Sequence, residues 1–529
     1  MKLFSALFKK KTAKQNKKQG SIPETIKLPQ DLAKKMDLIR PYISKNHDIV
    51  TRPFSVLGKG KDKLRAVVIY MEGIIDTAIL NEDILKPLMF YSNWDQLERE
   101  GSRHLIDWIY QTSLSVGQVK KADTLDALVQ NIFDGLVILM FDGLNEVLTI
   151  DISGGERRSI QEPPTEHVIR GPREGFVENL TTNISLIRRK LRDPNLIVEK
   201  TVLGKRTRTN VAFVYIEDIA DPEIVKTIKE KVSEIHMDGL LATGYIEQMI
   251  EDNHYSIFPQ IQSTERPDKV VAHLLEGRVA ILAEGTPFAI ILPSLFIQFF
   301  QASDDYFDRP FTGSITRFAR FLSFFLAVSL PAIYVSLLSF QVELIPFNLV
   351  LSLVESRKAV PLPVFVEILI LELIIQLVVE TGLRLPSTVG QTIGVVGGIV
   401  LGQAAISAHL ASPGAVIITA ITTICTFTTP SNSMALASRF LRLPLFLLAS
   451  AFGTFGFSLG WLIILAHLAS LESVGVPFFA PFAPTRFADL KDSFYRTFID
   501  KMNYRPVSIP INDRKRQGTT GRKDRKNER

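Results

Sequence analysis

The second half of this 529-residue chain carries apolar runs that are long enough to cross a lipid bilayer. A transmembrane helix needs roughly 20 predominantly apolar residues. Charged residues are frequent up to about Arg278, whereas apolar runs dominate from Phe321 to Leu468. We therefore predict a soluble α/β N-terminal region followed by an all-α polytopic transmembrane domain. The predicted spans are residues 318–340, 362–383, 388–408, 412–428 and 443–468.

The charge at the two ends of the chain constrains the topology. The stretch "MKLFSALFKKKTAKQNKKQG" has few apolar residues, lysines follow them, and no cleavage-like site appears. We therefore predict a cytoplasmic N-terminal domain without a signal peptide. Both termini are basic and should face the cytoplasm, yet five spans would place them on opposite sides of the membrane. One further crossing or re-entrant piece is expected within residues 279–300, 341–357 or 471–484. The basic tails themselves are interpreted as solvated segments or as contacts with anionic lipid.

The soluble region contains an internal repeat. "KLRAVVIYMEGIIDTAILNEDILKPLM" (63–89) predicts a buried strand, a turn and a helix, and "NVAFVYIEDIADPEIVKTIKEKVSEI" (210–235) repeats its pattern. This indicates two similar α/β subdomains. The acidic residues in the repeat suggest either helix capping or a metal site. Capping is favoured, because Asp221 is followed by a proline at the first helical position.

These patterns predict six consecutive segments. Val279–Ala283 and Phe288–Leu292 are interpreted as a hairpin that closes the soluble region, because Pro287 leaves any helix there too short to cross a bilayer. The segments are a basic tail and linker (1–49), a first α/β subdomain (50–160), a second α/β subdomain with an arginine-rich helix and a terminal hairpin (161–293), an interfacial segment (294–317), a transmembrane domain of about five or six spans (318–470) and a cytoplasmic basic tail (471–529).

One predicted span carries a stripe of polar side chains. Glu372, Gln376 and Glu380 recur every four residues, and Glu367 lies one turn earlier on nearly the same side. Ionisable groups at membrane depth usually line a water-filled path or pair across helices. We predict a cation pathway or an inter-subunit contact here. In the alternative interpretation, Glu367 and Glu380 lie near the two interfaces and only Glu372 is deep.

The next predicted span carries regularly spaced glycines. In "GQTIGVVGGIVLG" they occur every four residues and share one helix face, which allows a neighbouring helix to approach closely. The pattern predicts helix packing and indicates no particular activity. The four glycines are Gly390, Gly394, Gly398 and Gly402.

The stretch "RGPREGFVENLTTNISLIRRKLRDPNL" (170–196) predicts an amphipathic helix with basic residues at its C-terminal end. Two interpretations remain open. The cations can simply complement the helix dipole, or they can form a docking surface for another subunit, an acidic element or an anion. The residues of this predicted cytoplasmic docking surface are Arg170, Arg173, Arg188, Arg189 and Arg192.

The sequence gives little support to an enzyme. It contains no nucleophile paired with a base, no zinc motif and no phosphate loop, and its histidines are isolated. The single cysteine, Cys425, lies in an apolar run and excludes a disulfide within the chain. We predict no catalytic residues, no metal and no cofactor, and nothing in the sequence indicates nucleic-acid binding.

These motifs together resemble a known family. "LLEGRVAILAEGTPFAIILP", "ASDDYFDRPF" and "PLPVFVEILILELIIQLVVETGLRLPSTVGQTIGVVGGIVLGQAAISAHLASPGAVII" follow the arginine-rich stretch in the same order as in the A subunit of GerA-type spore germinant receptors. The resemblance covers roughly residues 50–490. It implies a multi-pass protein of the spore inner membrane that acts in germination.

The resemblance also implies partners and a mechanism. In that family the A subunit works with a permease-like B subunit and a lipoprotein C subunit, and it is thought to oligomerise, as a pentamer, into a nutrient-gated channel for monovalent cations. The acidic stripe would then serve permeation, the glycines subunit packing and the arginine-rich helix docking. A stage V AF branch shares these motifs without being a nutrient receptor. A secondary transporter is a more distant alternative, since no inverted repeats are found.

Overall fold

The chain folds into two five-stranded sheets followed by a bundle of long helices. The computed structural model describes residues 26–56, 64–91, 119–154, 162–384, 398 and 400–516. Both sheets precede the long helices, the first of which begins at Pro310. This order confirms an α/β N-terminal region and a helical C-terminal part.

The first sheet is antiparallel and is covered on both faces. Its strands are β1 (Ile49–Val56), β2 (Leu64–Met71), β3 (Val119–Ala122), β4 (Val137–Phe141) and β5 (Val147–Ile150), in the order β1-β2-β4-β5-β3. Its helices are α1 (Leu32–Ile43), α2 (Thr77–Ile79) and α3 (Leu125–Phe133), with π-helical segments at Leu80–Leu85 and Pro87–Tyr91. Every residue of β4 and β5 is buried, so apolar side chains fill both faces of the central strands.

Helix α1 belongs to the core of this first subdomain. Leu28, Leu32 and Ile39 are buried with residues of α3 and the facing side of the sheet. Asp31 caps α1 by accepting a hydrogen bond from the Ala33 N–H at 2.8 Å. Residues 26–43, which the sequence pattern assigns to a linker, are therefore part of the packed structure.

The second sheet has the corresponding order, β6-β7-β9-β10-β8, and is also antiparallel. Its strands are β6 (Leu196–Leu203), β7 (Thr209–Ile216), β8 (Gln262–Thr264), β9 (Val279–Ala283) and β10 (Ala289–Leu292). Its helices are α4 (Leu180–Lys190), α5 (Pro222–Ser233), α6 (Thr243–Ile250) and α7 (Pro267–Leu274). The pairing of β9 with β10 confirms the predicted hairpin.

The internal repeat is visible in both strand order and capping. The side chain of Asp76 accepts hydrogen bonds from the Ala78 and Ile79 N–H groups at the start of α2. Asp221 accepts a hydrogen bond from the Glu223 N–H at the start of α5, at 2.9 Å. The two aspartates therefore cap equivalent helices, which confirms the capping interpretation.

The helical region follows a short helix, α8 (Asp304–Phe307). Its long helices are α9 (Pro310–Ser339), α10 (Phe347–Arg357), α11 (Val364–Arg384), α12 (Pro413–Phe427) and α13 (Asn432–Ser470), and residues 400–407 are also helical. Within the described part of the chain, α9 and α13 are long and apolar enough to cross a membrane, judged by length and composition, and α12 is a shorter apolar helix.

Helix α13 is interrupted and turns back on itself. Gly453 has φ 62° and ψ −142°, a conformation that favours glycine. Beyond it, a Cβ atom placed on Gly460 would lie 2.5 Å from a side-chain carbon of Leu445. These residues would be about 22 Å apart along a continuous helix. The predicted span over 443–468 therefore covers parts of two antiparallel arms.

Helix α9 leaves the second subdomain, and the second arm of α13 returns to it. The turn at Gly453 lies against Phe340, which ends α9. Along the returning arm, the Trp461 Nε1–H donates to Ser329 Oγ at 2.9 Å. Near its end, a ring nitrogen of His467 is 3.0 Å from Ser256 Oγ, next to the second sheet. The start of α9 and the end of α13 are therefore on the same side of the bundle.

The segment after α13 packs on the second subdomain. Ser473 Oγ donates to the Gln260 carbonyl at 2.8 Å, Ile509 is fully buried, and the Asn512 N–H donates to the Ile219 carbonyl at 2.9 Å. The part of the predicted basic tail (471–529) that the structure describes, residues 471–516, is therefore packed on the folded protein. We call residues 499–516 the C-terminal strap.

The first part of the predicted interfacial segment (294–317) is enclosed by protein, whereas Phe311 and Ile315 further along it are exposed. Phe296, Phe299 and Phe300 are buried against residues of α9 and α13. Its last residues form the first turns of α9, which begins at Pro310. The aromatic side chains therefore form part of the contact between the second subdomain and the helices.

Candidate functional site

The acidic stripe on α11 contains a buried ion pair. A carboxylate oxygen of Glu372 lies 2.6 Å from Nη1 of Arg442 in the first arm of α13. Arg442 also donates to the Ala327 carbonyl of α9 at 2.8 Å and to Thr426 Oγ1 of α12 at 2.6 Å. One guanidinium thereby connects four helices. The second Glu372 oxygen is buried and has no hydrogen-bond donor among the described residues.

Glu367 is fully buried and lies five residues before Glu372, near the start of α11. It accepts a hydrogen bond from the N–H of Ser412, the residue that caps α12, and lies 3.4 Å from Nη2 of Arg357. Its carboxylate therefore adds negative charge at the positive end of the α12 dipole. This contact joins α10, α11 and α12.

The other two stripe residues are exposed at the helix surface. They are Gln376 and Glu380 of α11. Glu380 interacts electrostatically with Arg439 of α13. The stripe is therefore divided. The fully buried Glu367 and the largely buried Glu372 hold helices together within the chain, whereas Gln376 and Glu380 are exposed.

Two of the four predicted packing glycines lie in the described part of the chain. Gly398 is exposed, and a Cβ atom placed on it would meet no described atom within 4 Å. A Cβ atom placed on Gly402 would lie 3.7 Å from a Val416 side-chain carbon of α12. Gly390 and Gly394 lie outside the described residues. The two described glycines line an apolar groove of about 810 Å³ between α11, the 400–407 helix and α12.

The buried end of the arginine-rich helix joins the two sheets. Arg188 is 2% exposed, and its Nε and Nη2 donate to the two oxygens of Asp48, at 2.8 and 3.0 Å. It also donates to Asn46 Oδ1 at 2.8 Å and to the Leu196 carbonyl at 2.9 Å. Its guanidinium carbon lies 5.6 Å from the centre of the Phe133 ring. Arg188 therefore docks the two subdomains onto each other within one chain.

The other arginines of this stretch divide into two groups. Arg189 donates to the Gly154 carbonyl at 2.8 Å, and Arg192 lies 3.7 Å from Asp134, so both face the first subdomain. Arg170 and Arg173 lie on the surface, where Arg173 is 4.0 Å from Glu162. A surface for another subunit can therefore use Arg170 and Arg173, whereas Arg188 is enclosed.

A second buried network lies where the second subdomain meets α9. Arg317 is fully buried, and it donates to Asp305 Oδ2 at 3.2 Å and to Asp492 Oδ1 at 2.9 Å. The Tyr306 hydroxyl donates to the other Asp492 oxygen at 2.7 Å. The guanidinium carbons of Arg317 and Arg496 lie 5.4 and 5.7 Å from the centre of the Tyr306 ring. We call these five residues the Tyr306 junction.

The Tyr306 junction ties α8, the first turns of α9 and the segment after α13 to one another. Burial raises the pKa of Tyr306 well above its usual value, and the neighbouring Asp492 carboxylate acts in the same direction. The hydroxyl is therefore neutral and serves as a hydrogen-bond donor. Gly313 allows the close approach, since a Cβ atom there would lie 2.8 Å from the Asp305 carbonyl.

Comparison with known proteins now identifies the family. The family model for the Bacillus/Clostridium GerA spore germination protein matches residues 37–508. The chain belongs to the GerA family of spore germination proteins. This confirms the resemblance inferred from the sequence motifs.

Individual members of the GerA family are similar over nearly the whole chain. Spore germination protein KA of Bacillus subtilis (strain 168) is 39% identical over 488 residues, which cover 92% of this chain and 88% of that protein. Stage V sporulation protein AF of the same strain is 30% identical over 476 residues, covering 90% and 94%. One solved structure is also similar, the crystal structure of the N-terminal domain of the A subunit of the Bacillus megaterium spore germinant receptor GerK3. Its sequence is 32% identical, and the match covers 52% of this chain and 99% of that one, with a TM-score of 0.41.

Sequence reasoning missed several charged residues of this GerA family member. Arg442 lies one residue before the predicted span over 443–468, and Arg317 lies one residue before the span over 318–340. The apolar pattern puts both at the ends of spans, although both are buried. A cationic partner such as Arg442 could have been expected, because Glu372 lies in an apolar predicted span where a carboxylate needs a positive charge beside it. Asp492 offered no such signal, because 175 residues separate it from Arg317.

Proposed function

We propose that this protein is a subunit of a nutrient (germinant) receptor in the spore inner membrane and triggers germination by forming a nutrient-gated cation channel. The observation that carries the proposal is the GerA family match across residues 37–508. The protein acts without catalysis of its own. It works with a permease-like B subunit and a lipoprotein C subunit, and it assembles as a homo-oligomer, a pentamer.

The helix directions support a multi-pass membrane domain with both ends of the chain in the cytoplasm. Helix α9 begins and the second arm of α13 ends beside the second subdomain. An even number of crossings satisfies that arrangement, and it places the basic segments at both ends on the cytoplasmic side, as the positive-inside rule requires. The turn of α13 at Gly453 supports this topology, because two antiparallel arms in place of one predicted span would bring the five predicted spans to an even number of passes.

The divided stripe on α11 supports separate roles for its residues. The Glu372–Arg442 pair holds four helices together. Gln376 and Glu380 are polar residues on an otherwise apolar surface, and such groups are costly against lipid. In the oligomer they face the cation path or the next copy, and the groove beside Gly398 and Gly402 packs against that copy.

The Tyr306 junction supports coupling between the soluble region and the helices. Its contacts link α8, α9 and the segment after α13 through the buried charges of Arg317 and Asp305 and the partly exposed Asp492. A nutrient signal from the partner subunits shifts the oligomer toward its open state through this connection. Arg170 and Arg173 provide the exposed basic surface for docking a partner.

A second candidate function is that of an amplifying channel protein of the stage V AF type. It is favoured by the similarity to Stage V sporulation protein AF, at 30% identity over 90% of this chain. The higher identity to Spore germination protein KA, 39%, supports the receptor subunit. A secondary transporter is less well supported, because the two sheets repeat one another and the helices show no inverted repeat in sequence.

Ion release from spores tests the proposed function directly. Spores that lack this protein are exposed to single nutrients, and the released potassium is measured over time. We expect loss of the response to one nutrient class and a normal response to the others. Uniformly slower release for every nutrient would favour the stage V AF function instead. Release that is unchanged for all nutrients would contradict both.

The ion pair gives a sharper test of the channel. Glu372→Gln leaves the Arg442 charge unbalanced near the predicted path, so cation release should slow at least about tenfold, which corresponds to a barrier increase of about 1.4 kcal/mol. Potassium release is measured in spores with matched protein amounts. Glu355→Gln is the control, since its side chain is 77% exposed. Normal release from Glu372→Gln spores would remove Glu372 from the pathway.

A further inference from the structure

Two adjoining cavities lie where α7, the turn at residues 296–301, α8 and the C-terminal strap meet. Their volumes are about 570 and 220 Å³. They share a wall, and its residues come from the second subdomain, the Tyr306 junction and the strap. The shared residues are Glu276, Gln298, Gln301, Tyr306, Met502 and Arg516.

A buried guanidinium with unused donors lines the smaller cavity. The Arg278 side chain is 1% exposed, and its Nη2 reaches Glu276 at 3.4 Å. Its Nε and Nη1 have no acceptor among the described residues. Buried guanidinium groups normally donate to carboxylates, phosphates or carbonyls. The two unused nitrogens therefore indicate that an acceptor from outside the chain fits here.

The side chains that line the smaller cavity carry a net positive charge, because five basic residues outnumber three acidic ones. The basic residues are Arg278, Lys491, Lys501, Arg505 and Arg516, and the acidic ones are Glu276, Asp489 and Asp492. Arg516 Nη1 lies 3.9 Å from the same Glu276 carboxylate, so two guanidinium groups share one anion. The nearby acidic and basic groups of the larger cavity are already paired, since Asp268 bonds Arg266 at 3.0 Å and Lys269 bonds Glu166 at 2.7 Å. Burial lowers the pKa of Arg278 to about 10, which leaves it charged at neutral pH.

A neighbouring histidine adds a further donor. His273 is buried at the wall of the larger cavity, and its Nδ1, 3.7 Å from Glu276, has no hydrogen-bond partner among the described residues. In the tautomer with a proton on Nδ1 it donates into the same region. Arg278, Arg516 and His273 therefore all lie around Glu276, at the wall that the smaller cavity shares with the larger one.

We propose that these cavities bind a small dissolved oxyanion whose carboxylate or phosphate group accepts hydrogen bonds from Arg278 and Arg516. The smaller cavity accommodates the charged group, and the larger cavity has the volume for the rest of a small organic acid. The bound anion connects α7 to the C-terminal strap next to the Tyr306 junction. The site is independent of the nutrient site expected on a partner subunit.

Direct binding to the full chain tests this proposal. Purified protein in a neutral detergent is titrated by calorimetry with inorganic phosphate and, separately, with succinate. We expect saturable binding of at least one probe. Arg278→Gln and Arg516→Gln should each weaken it at least tenfold. Arg206→Gln is the matched control, because Arg206 lies on the same subdomain and its side chain is 82% exposed.

The two variants keep the result interpretable. Arg516 is 34% exposed, so its substitution tests the site even where Arg278→Gln lowers the folded fraction, which thermal unfolding reports. Absence of saturable binding of both probes to folded wild-type protein would overturn the proposal. Binding with equal affinity in wild type and Arg516→Gln would overturn it as well.

Discussion

The two sheets share one strand order but differ in what covers them. In the first subdomain, α1 and α3 cover one face, and the helical segment at residues 77–91 covers the other. In the second subdomain, α4 and α7 cover one face. The other face is completed by α5 and α6 together with Val474, Val476 and Ile509, which follow α13. The first sheet is closed by neighbouring sequence, whereas the second depends on the far end of the chain.

This difference shows how a repeated unit acquires two roles. The equivalent turns exchange ion pairs across the contact between the subdomains: Glu72 binds Lys200 at 2.8 Å, and Glu217 binds Lys45. Gly73 permits the close approach, because a Cβ atom there would lie 2.8 Å from a side-chain carbon of Thr181 in α4. One copy serves as a self-contained support, and the other connects that support to the long helices.

The contact between the copies is most sensitive to Arg188. Arg188→Ala leaves the Asp48 carboxylate buried without a partner, which we expect to cost about 3–5 kcal/mol. Hydrogen exchange measured by mass spectrometry should show faster exchange at residues 46–50 and 196–198. Arg192→Ala is the control, since that side chain is 59% exposed and 3.7 Å from Asp134. Unchanged protection in Arg188→Ala would show that the sheets do not rely on this pair.

The dependence of the second sheet on the strap can be broken with Ile509→Ala. Ile509 is fully buried in the second core, so the cavity should destabilise that subdomain by about 2–4 kcal/mol. Exchange should accelerate in β7 and β9 and remain unchanged in β2 and β4. Phe487→Ala, at a side chain that is 79% exposed, should have no such effect. Equal acceleration in both sheets would contradict the distinction drawn between them.

The two subdomains should also differ in their response to acid. Burial lowers the pKa of His273 to about 4, and the positive charge of Arg278 acts in the same direction. The unfolded chain binds this proton below about pH 6.5, so the second subdomain loses stability as pH falls from 6.5 to 4, by about 3 kcal/mol. The described part of the first subdomain has one histidine, His47, which is exposed. Exchange rates of β9 and β4 between pH 7 and pH 5, corrected for intrinsic rates, measure the difference.

A single substitution tests whether His273 causes this loss of stability in acid. His273→Gln removes the titrating group, so the loss of β9 protection between pH 6.5 and 4 should shrink. Glu276 affects stability only at lower pH, because its pKa is about 2: burial opposes ionisation, but the neighbouring His273 and the positive charge of Arg278 outweigh it. A wild-type response that is the same in β4 and β9 would rule out the assignment to His273.

Local patterns made the repeated units predictable. The strand, the turn and the capping aspartate occur within about ten residues of each other, and so do the two strands of the β9–β10 hairpin. Asp76 and Asp221 needed only their own helices to act as caps. Such interactions join residues that are close in the sequence, so a local sequence pattern is enough to predict them.

Features that depend on distant residues could not be predicted in this way. The partners of Arg188, at Asp48 and Asn46, are 140 and 142 residues away, so the sequence showed a basic helix end and not its acceptors. The turn at Gly453 could not be predicted from the sequence for a different reason. Glycine is common in membrane helices, and the surrounding residues are apolar, so the run over 443–468 has the pattern of one continuous helix.

The position of the C-terminal strap sets the order in which the protein can be completed during synthesis. The first sheet is complete when residue 150 has emerged, but the second lacks Ile509 and Asn512 until the ribosome has nearly finished. At roughly 5–20 residues per second, the 220 residues between the end of β10 and Asn512 take about 10–45 seconds to translate. During that interval α5 and α6 cover one face of the second sheet without Ile509. The packing of the second subdomain is therefore completed only after the long helices have been synthesised.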